Sequence, residues 1–132
     1  MTSATTTIAT PAIAAAPGYS TLYAAWLEAT GTSIRISSDS GSGFSKPSTV
    51  PQAATHDGPA LAVTPDGVYL SWTGATTNQV GWLFKSFLGW VPQQVVPGAE
   101  SGSSPAMTAV GSNLFLAWQG DGTTDFWFSA FG

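Results

Sequence analysis

Three copies of one pattern, spaced at a nearly constant interval, constrain this chain more than any other feature. Trp26, Trp72 and Trp118 each end a short apolar run, and consecutive members lie 46 residues apart. A Pro-Ala pair precedes each run, at Pro11, Pro59 and Pro105. Self-similarity at a fixed period indicates that one structural unit recurs along the chain. The sequence therefore predicts a single domain made of three units, at about residues 11–58, 59–104 and 105–132.

Each unit has the pattern of several short strands joined by turns that contain Gly, Pro, Asp or Asn. The predicted strands are 12–16, 22–26, 34–38 and 47–51 in the first unit, 60–64, 68–72, 82–87 and 92–96 in the second, and 106–110, 114–118 and 126–131 in the third. The apolar runs alternate poorly, as expected when both faces of a sheet are covered. A period in the forties with four strands per unit is typical of a β-propeller blade. The fold class predicted is all-β, with one four-stranded blade per unit.

The predicted third unit has no fourth strand, and three blades are too few to close a ring, because propellers need about four to eight. Two copies would provide six blades. We therefore expect a homodimer in which the chains associate head to tail to complete one ring. We also expect Met1–Thr10 to supply the missing outer strand, which would leave no open edge.

Composition excludes several classes of function. Hydrophobic residues make up 43% of the chain and charged residues 8%, with a formal net charge of −4. Arg35, Lys46 and Lys85 are the only Lys or Arg residues, too few for a nucleic-acid or anionic-membrane surface. No apolar stretch approaches the roughly 20 residues of a membrane-spanning helix. The absence of cysteine excludes disulfides and thiolate metal sites and leaves the redox compartment open.

The N-terminal segment has no basic region and no long apolar stretch, so no signal peptide is predicted in this chain. The localisation stays open, with a secreted or extracellular protein as one alternative.

The segment SSDSGSGF, residues 37–44, resembles the Asp-box, S-x-D-x-G-x-[TS]-W, with Phe44 in the aromatic position and Gly43 in the Thr position. The second unit carries a degenerate form, SFLGW, at residues 86–90. In such a turn the Asp side chain accepts backbone N–H groups, glycine adopts a positive φ, and the aromatic side chain packs between sheets. The whole pattern is similar to the repeats of bacterial propeller lectins and sialidase-like propellers.

This resemblance implies a non-catalytic, carbohydrate-binding protein that holds glycans in clefts between blades. Sialidase chemistry requires an arginine cluster, and the chain has one arginine. His56 and Asp57 form its only His–acid neighbours, without a Gly-x-Ser-x-Gly motif. The loop from Asp121 to Asp125 lacks the further ligands of a calcium loop, so neither a metal nor a cofactor is predicted.

Connections between the second and third strands, and those between units, should gather at one end of the molecule. Polar side chains there suit sugar hydroxyls, and tryptophans suit the apolar faces of sugar rings. The candidate ligand-binding residues are Glu28, Arg35, His56, Asp57, Asn78, Gln79, Trp82, Glu100, Asp121, Asp125 and Trp127. Glu28 and Arg35 resemble the Glu–Arg pair of six-bladed fucose-binding lectins, whereas Trp26, Trp72 and Trp118 are expected in the core.

Two alternatives remain at this point. One is a structural or protein-interaction propeller, either a natural fragment or an engineered repeat assembly. The other is a degenerate sialidase-like glycosidase domain, in which Glu28 or Asp57 would support turnover.

Overall fold

The structure is a computed structural model that describes residues 7–18, 20–86 and 88–131. The described residues form eleven β-strands and no helix. Sheet 1 contains β1 (Ala12–Ala15), β2 (Leu22–Leu27), β3 (Ser33–Asp39) and β4 (Ser48–Ala54). Sheet 2 contains β5 (Ala60–Thr64), β6 (Gly67–Thr73), β7 (Gln79–Ser86) and β8 (Gly89–Glu100). Sheet 3 contains β9 (Ala106–Val110), β10 (Asn113–Gln119) and β11 (Phe126–Phe131).

Every sheet is an antiparallel meander in which the strands pair in chain order. The all-β prediction is therefore confirmed, and the eleven predicted strands correspond to the eleven observed ones with shifts at their ends. Each sheet lies inside one of the three predicted repeat units. Most of the predicted closing strand from Met1–Thr10 lies outside the described residues, and residues 7–10 form no strand.

The three sheets approach one another most closely at their first strands. β5 contacts β1 on one side and β9 on the other, whereas β4 and β8 contact each other less. We call the contact between sheets 1 and 2 the first junction and that between sheets 2 and 3 the second junction. Sheet 2 therefore lies between the other two.

The burial of the first strands follows from this arrangement. All five residues of β5 are buried, as the sequence predicts for a strand covered on both faces. In β1 and β9, by contrast, burial alternates from residue to residue. Within the single chain, sheets 1 and 3 each have one face that no described sheet covers, so coverage of both faces is observed for β5 and stays a prediction for β1 and β9.

Each junction has its own hydrophobic core. The first core contains Ile34, Ile36, Leu61, Leu70, Trp72 and Leu83, together with alanine and valine side chains of sheets 1 and 2. The second contains Val80, Val96, Ala99 and Leu116, with Trp82, Met107, Trp118 and Phe131 partly buried against them. Burial of these side chains removes apolar surface from water at roughly 25 cal/mol per Å², which stabilises the association of the sheets.

The turn between β3 and β4 has the hydrogen bonds that the sequence predicts. Backbone N–H groups of Gly41 and Gly43 donate to Oδ1 of Asp39 at 2.7 and 3.1 Å. Both glycines have positive φ angles, of 122° and 104°, which side-chain-bearing residues rarely adopt. The predicted packing of Phe44 between sheets is not observed within the described chain, where this side chain is 45% exposed. Trp90, at the corresponding place in sheet 2, is partly buried against the first core.

Candidate functional site

The loops that join the second and third strands of each sheet meet the loops that join successive sheets. The N–H of Thr55 donates to the carbonyl oxygen of Thr32 at 2.9 Å, and that of Ala75 to Ala54 at 2.9 Å. At the second junction, the N–H of Asp121 donates to the carbonyl oxygen of Glu100 at 3.0 Å. These bonds tie the loops of neighbouring sheets together at one end of the molecule, which we call the loop end. The opposite end, with the β1–β2, β3–β4, β5–β6, β7–β8 and β9–β10 turns, is the turn end.

A cleft of about 550 Å³ opens at the loop end of the second junction. One wall comes from the last part of β8, and the other from β10, β11 and the loop between them. The aromatic and acidic side chains of its lining are Glu100, Trp118, Asp121, Asp125 and Trp127, whereas Phe128 borders the cleft with its side chain on the opposite face of sheet 3. The cleft is therefore both aromatic and acidic, and it has the size of a small-molecule site.

Trp118 and Trp127 form the aromatic part of the cleft. They are direct partners in the β10–β11 register, so their side chains lie on the same face of sheet 3. Trp118 packs partly against the second core, whereas Trp127 is 54% exposed. A Cβ atom added at Gly120 would lie 3.2 Å from Nε1 of Trp127, so the indole passes close over this glycine. The pair presents an apolar surface at the cleft with an N–H group at its edge.

Asn78 and Asp121 join the two sheets across the rim of the cleft. Nδ2 of Asn78 donates to Oδ2 of Asp121 at 3.2 Å, and the N–H of Ser101 donates to the carbonyl oxygen of Asn78 at 2.8 Å. Asn78 has a φ of 56°, a conformation that asparagine tolerates better than most residues. Glu100 and Asp125 are exposed nearby. These carboxylates are hydrogen-bond acceptors that a hydroxyl-bearing ligand can use.

Five of the predicted ligand-binding residues therefore meet at the second junction: Asn78, Glu100, Asp121, Asp125 and Trp127. Gln79 follows Asn78 as the first residue of β7 and is exposed. Glu28, His56 and Asp57 lie in loop-end connections of sheet 1 and outside the cleft. The backbone N–H of Asp57 donates to Oγ1 of Thr55 at 3.1 Å, which fixes that loop locally.

Arg35 and Trp82 lie apart from the cleft. Nη1 of Arg35 donates to Oγ1 of Thr49 at 2.8 Å, and its Nη2 donates to the carbonyl oxygen of Pro47 at 3.4 Å, so the guanidinium is held on β4. The ring of Trp82 stacks on Phe131 with centroids 5.6 Å apart, within the second core. Both side chains thus contact neighbouring strands, and neither lines this cleft.

Trp118 is the lining residue that sequence reasoning placed in the core. Its spacing from Trp26 and Trp72 favoured a common, buried role for all three. The signal that distinguishes it is its cross-strand partner, since Trp72 lies opposite Gly81 whereas Trp118 lies opposite Trp127. Trp127 is much larger than Gly81, so the aromatic surface of Trp118 and Trp127 on sheet 3 is wider than the part that sheet 2 covers.

Comparison of the chain with protein-family models, curated proteins and solved structures found no match in any of the three. Within residues 7–18, 20–86 and 88–131, no group of three or more Asp, Glu or His side chains is placed to hold a metal ion. The same residues contain no helix long and apolar enough to cross a membrane.

Proposed function

We propose that the chain is a carbohydrate-binding module and that the cleft at the second junction holds a glycan without cleaving it. The observation that carries this proposal is the 54% exposed ring of Trp127 beside Asp121 and Asp125 in an open cleft. Removing an indole ring from water is favourable, and the exposed part of Trp127 does not have this stabilisation. A ligand that covers the ring would supply part of it.

Sugars match both parts of this surface. Each pyranose ring has an apolar face of C–H groups, which can lie on an indole, and a rim of hydroxyl groups, which donate to carboxylates and accept from amides. Asn78 and Asp121 already hold each other at 3.2 Å, so both are positioned before a ligand arrives. Preorganised polar groups cost less to order on binding.

A glycan array followed by calorimetry tests the proposal. Trp127→Ala should weaken binding of any sugar found by at least about tenfold, or roughly 1.4 kcal/mol, because the apolar platform is lost. Phe44→Ala is the matched control, since Phe44 is also a partly exposed aromatic residue but lies at the turn end. Failure of every glycan to bind, or equal affinity of the wild type and Trp127→Ala, would contradict the proposal.

We also propose that the three sheets are blades of a propeller that a second copy of the chain completes. The support comes from the face of sheet 3 that points away from sheet 2. Phe115 is 40% exposed, Phe126 73% and Phe128 70% on this face. Tyr69 and Trp82 of sheet 2 lie one repeat before Phe115 and Phe128. Trp82 is partly buried against sheet 3, so the equivalent face of sheet 2 is covered by a neighbouring sheet.

Sheet 1 offers the complementary surface. Ile13 of β1 is 65% exposed, and Leu22 of β2 is 40% exposed. The equivalent strands of sheet 2 pack against sheet 1, and those of sheet 3 pack against sheet 2. Association of sheet 3 of one copy with sheet 1 of another would repeat the two observed junctions. Two copies give six blades, which lies within the range of about four to eight that close.

Light scattering after size-exclusion chromatography tests this assembly. We expect twice the 13.5 kDa mass of one chain. Phe128→Glu should give single chains, because it places a charge in an apolar contact, whereas Phe44→Glu at the turn end should not. A wild-type protein that stays at 13.5 kDa at high concentration would exclude the ring.

A further inference from the structure

A second cleft, of about 420 Å³, opens at the turn end of the first junction. Ala16 and Tyr23 of the sheet 1 side line it, together with Val63, Asp66, Val68 and Lys85 of sheet 2. Val63 and Val68 are 7% and 4% exposed, so the apolar wall belongs to the first core. This cleft lies at the opposite end of the strands from the one assigned to glycans.

The repeat explains why space is left here. Lys85 lies one repeat before Phe131, and Ile36 lies one repeat before Trp82. The registers agree, since Lys85 pairs with Val68 and Phe131 with Leu114 at equivalent places in their sheets. At the second junction the Phe131 ring stacks on Trp82 at 5.6 Å. The first junction therefore lacks the two aromatic rings that occupy this place in the second.

Lys85 does not fill the space that a phenylalanine would take. Its Nζ lies 5.5 Å from the centroid of the Trp90 ring, a cation–π contact that holds the ammonium toward β8. Asp66, in the β5–β6 turn, is exposed and supplies a carboxylate to the same cleft. The cleft thus combines an apolar wall, the Tyr23 ring and one charge of each sign.

We propose that this cleft binds a small aromatic zwitterion, such as a free aromatic amino acid. The aromatic ring would take the place that Phe131 has at the second junction, against Val68 and Tyr23. The ligand carboxylate would pair with Lys85 and the ligand ammonium with Asp66. Because the cleft offers one positive and one negative side chain, a zwitterion can pair with both Lys85 and Asp66. A simple anion would leave Asp66 unpaired or repel it, and a simple cation would do the same to Lys85, so charge complementarity favours the zwitterion.

Calorimetry with L-phenylalanine tests the proposal on the full chain. Lys85→Gln and Asp66→Asn should each weaken binding by about fivefold to tenfold, because each removes one charge-assisted hydrogen bond. Lys46→Gln is the matched control, since Lys46 is an exposed lysine next to the β3–β4 turn that does not line the cleft. Phenethylamine and 3-phenylpropionate, which each lack one charge, should bind more weakly than phenylalanine by a similar factor.

Lys85→Phe provides a second test, because it copies Phe131 and should fill the cleft. We expect loss of phenylalanine binding with an unchanged or higher unfolding temperature, and unchanged glycan affinity at the loop end. Absence of L-phenylalanine binding to the wild type, equal binding of L-alanine, or binding insensitive to Lys85→Gln would overturn the proposal. Each of these outcomes leaves the glycan proposal untouched, since the two clefts are at opposite ends.

Discussion

The first junction is closed at its loop end and open at its turn end, whereas the second junction has the reverse arrangement. At the loop end, Trp72 of the first junction is 1% exposed, while its counterpart Trp118 lines a cleft. At the turn end, the stack of Phe131 on Trp82 occupies the second junction, while Lys85 borders a cleft in the first.

The difference at the loop end comes from one pair of positions. Gly81 lies opposite Trp72, and a Cβ atom added there would be 3.4 Å from the Trp72 ring. Trp127 takes that place opposite Trp118. The repeat therefore brings equivalent positions together at both junctions, and the residue opposite the tryptophan distinguishes the buried Trp72 from the cleft-lining Trp118.

Replacement of the two equivalent tryptophans should give the largest difference between the junctions. Trp72→Ala should lower the free energy of unfolding by about 3–5 kcal/mol, because it leaves a cavity in a sealed core. Trp118→Ala should cost roughly half as much, since part of its ring is already in contact with solvent. Urea unfolding of both variants measures the difference, and equal losses would mean that the two junctions are packed alike.

Opening the turn end of the second junction should have a smaller effect. Phe131→Lys, which copies the first junction, removes the stack on Trp82 and should cost about 1–2 kcal/mol of unfolding free energy. Phe44→Lys is the matched control, because Phe44 is 45% exposed, lies at the turn end and belongs to neither hydrophobic core, and it should change stability by less than about 0.5 kcal/mol. The same urea titration applies. A loss no greater than that of the control would show that the stack does not hold the junction.

The smallest effect is expected from Tyr69, whose ring stacks on Phe84 with centroids 4.5 Å apart. Burial, and then the charge of Asp66, raise the pKa of its phenol above the usual value of 10.0. The unfolded chain therefore loses this proton at a lower pH than the folded one, so stability should fall as pH rises from 10.0 through the folded pKa.

Thermal unfolding between pH 9 and 11 measures this dependence. Tyr69→Phe should reduce the loss of stability in this range, because it removes the ionising group, and should leave the profile near neutral pH parallel to that of the wild type. A Tyr69→Phe variant that loses stability as steeply as the wild type would assign the alkaline transition to other groups.

Much of the fold could be predicted from the sequence because the same pattern of strands and turns occurs in three units. Short apolar runs, turn residues and the tryptophan spacing were sufficient to place eleven strands. The loop-end grouping of Asn78, Asp121 and Trp127 also followed from strand order alone. These properties depend on local pattern and on antiparallel pairing, both of which a sequence carries directly.

The parts that could not be predicted depend on contacts between strands. The register of β3 and β4 shifts between Ser33 and Arg35, and this irregularity accompanies the hydrogen bond that holds Arg35 on Thr49. No residue pattern in β3 marks that shift. The open and closed ends of the junctions likewise result from the packing of Gly81, Trp127 and Lys85 against a neighbouring sheet.

The unequal accessibility of Trp72 and Trp127 has an optical consequence. An indole that is 1% exposed is shielded from dissolved iodide, whereas one that is 54% exposed can collide with it. Part of the intrinsic fluorescence should therefore be quenched readily and part should resist. A sugar seated on Trp127 would protect the first fraction, so the unlabelled protein would report occupancy of its own cleft.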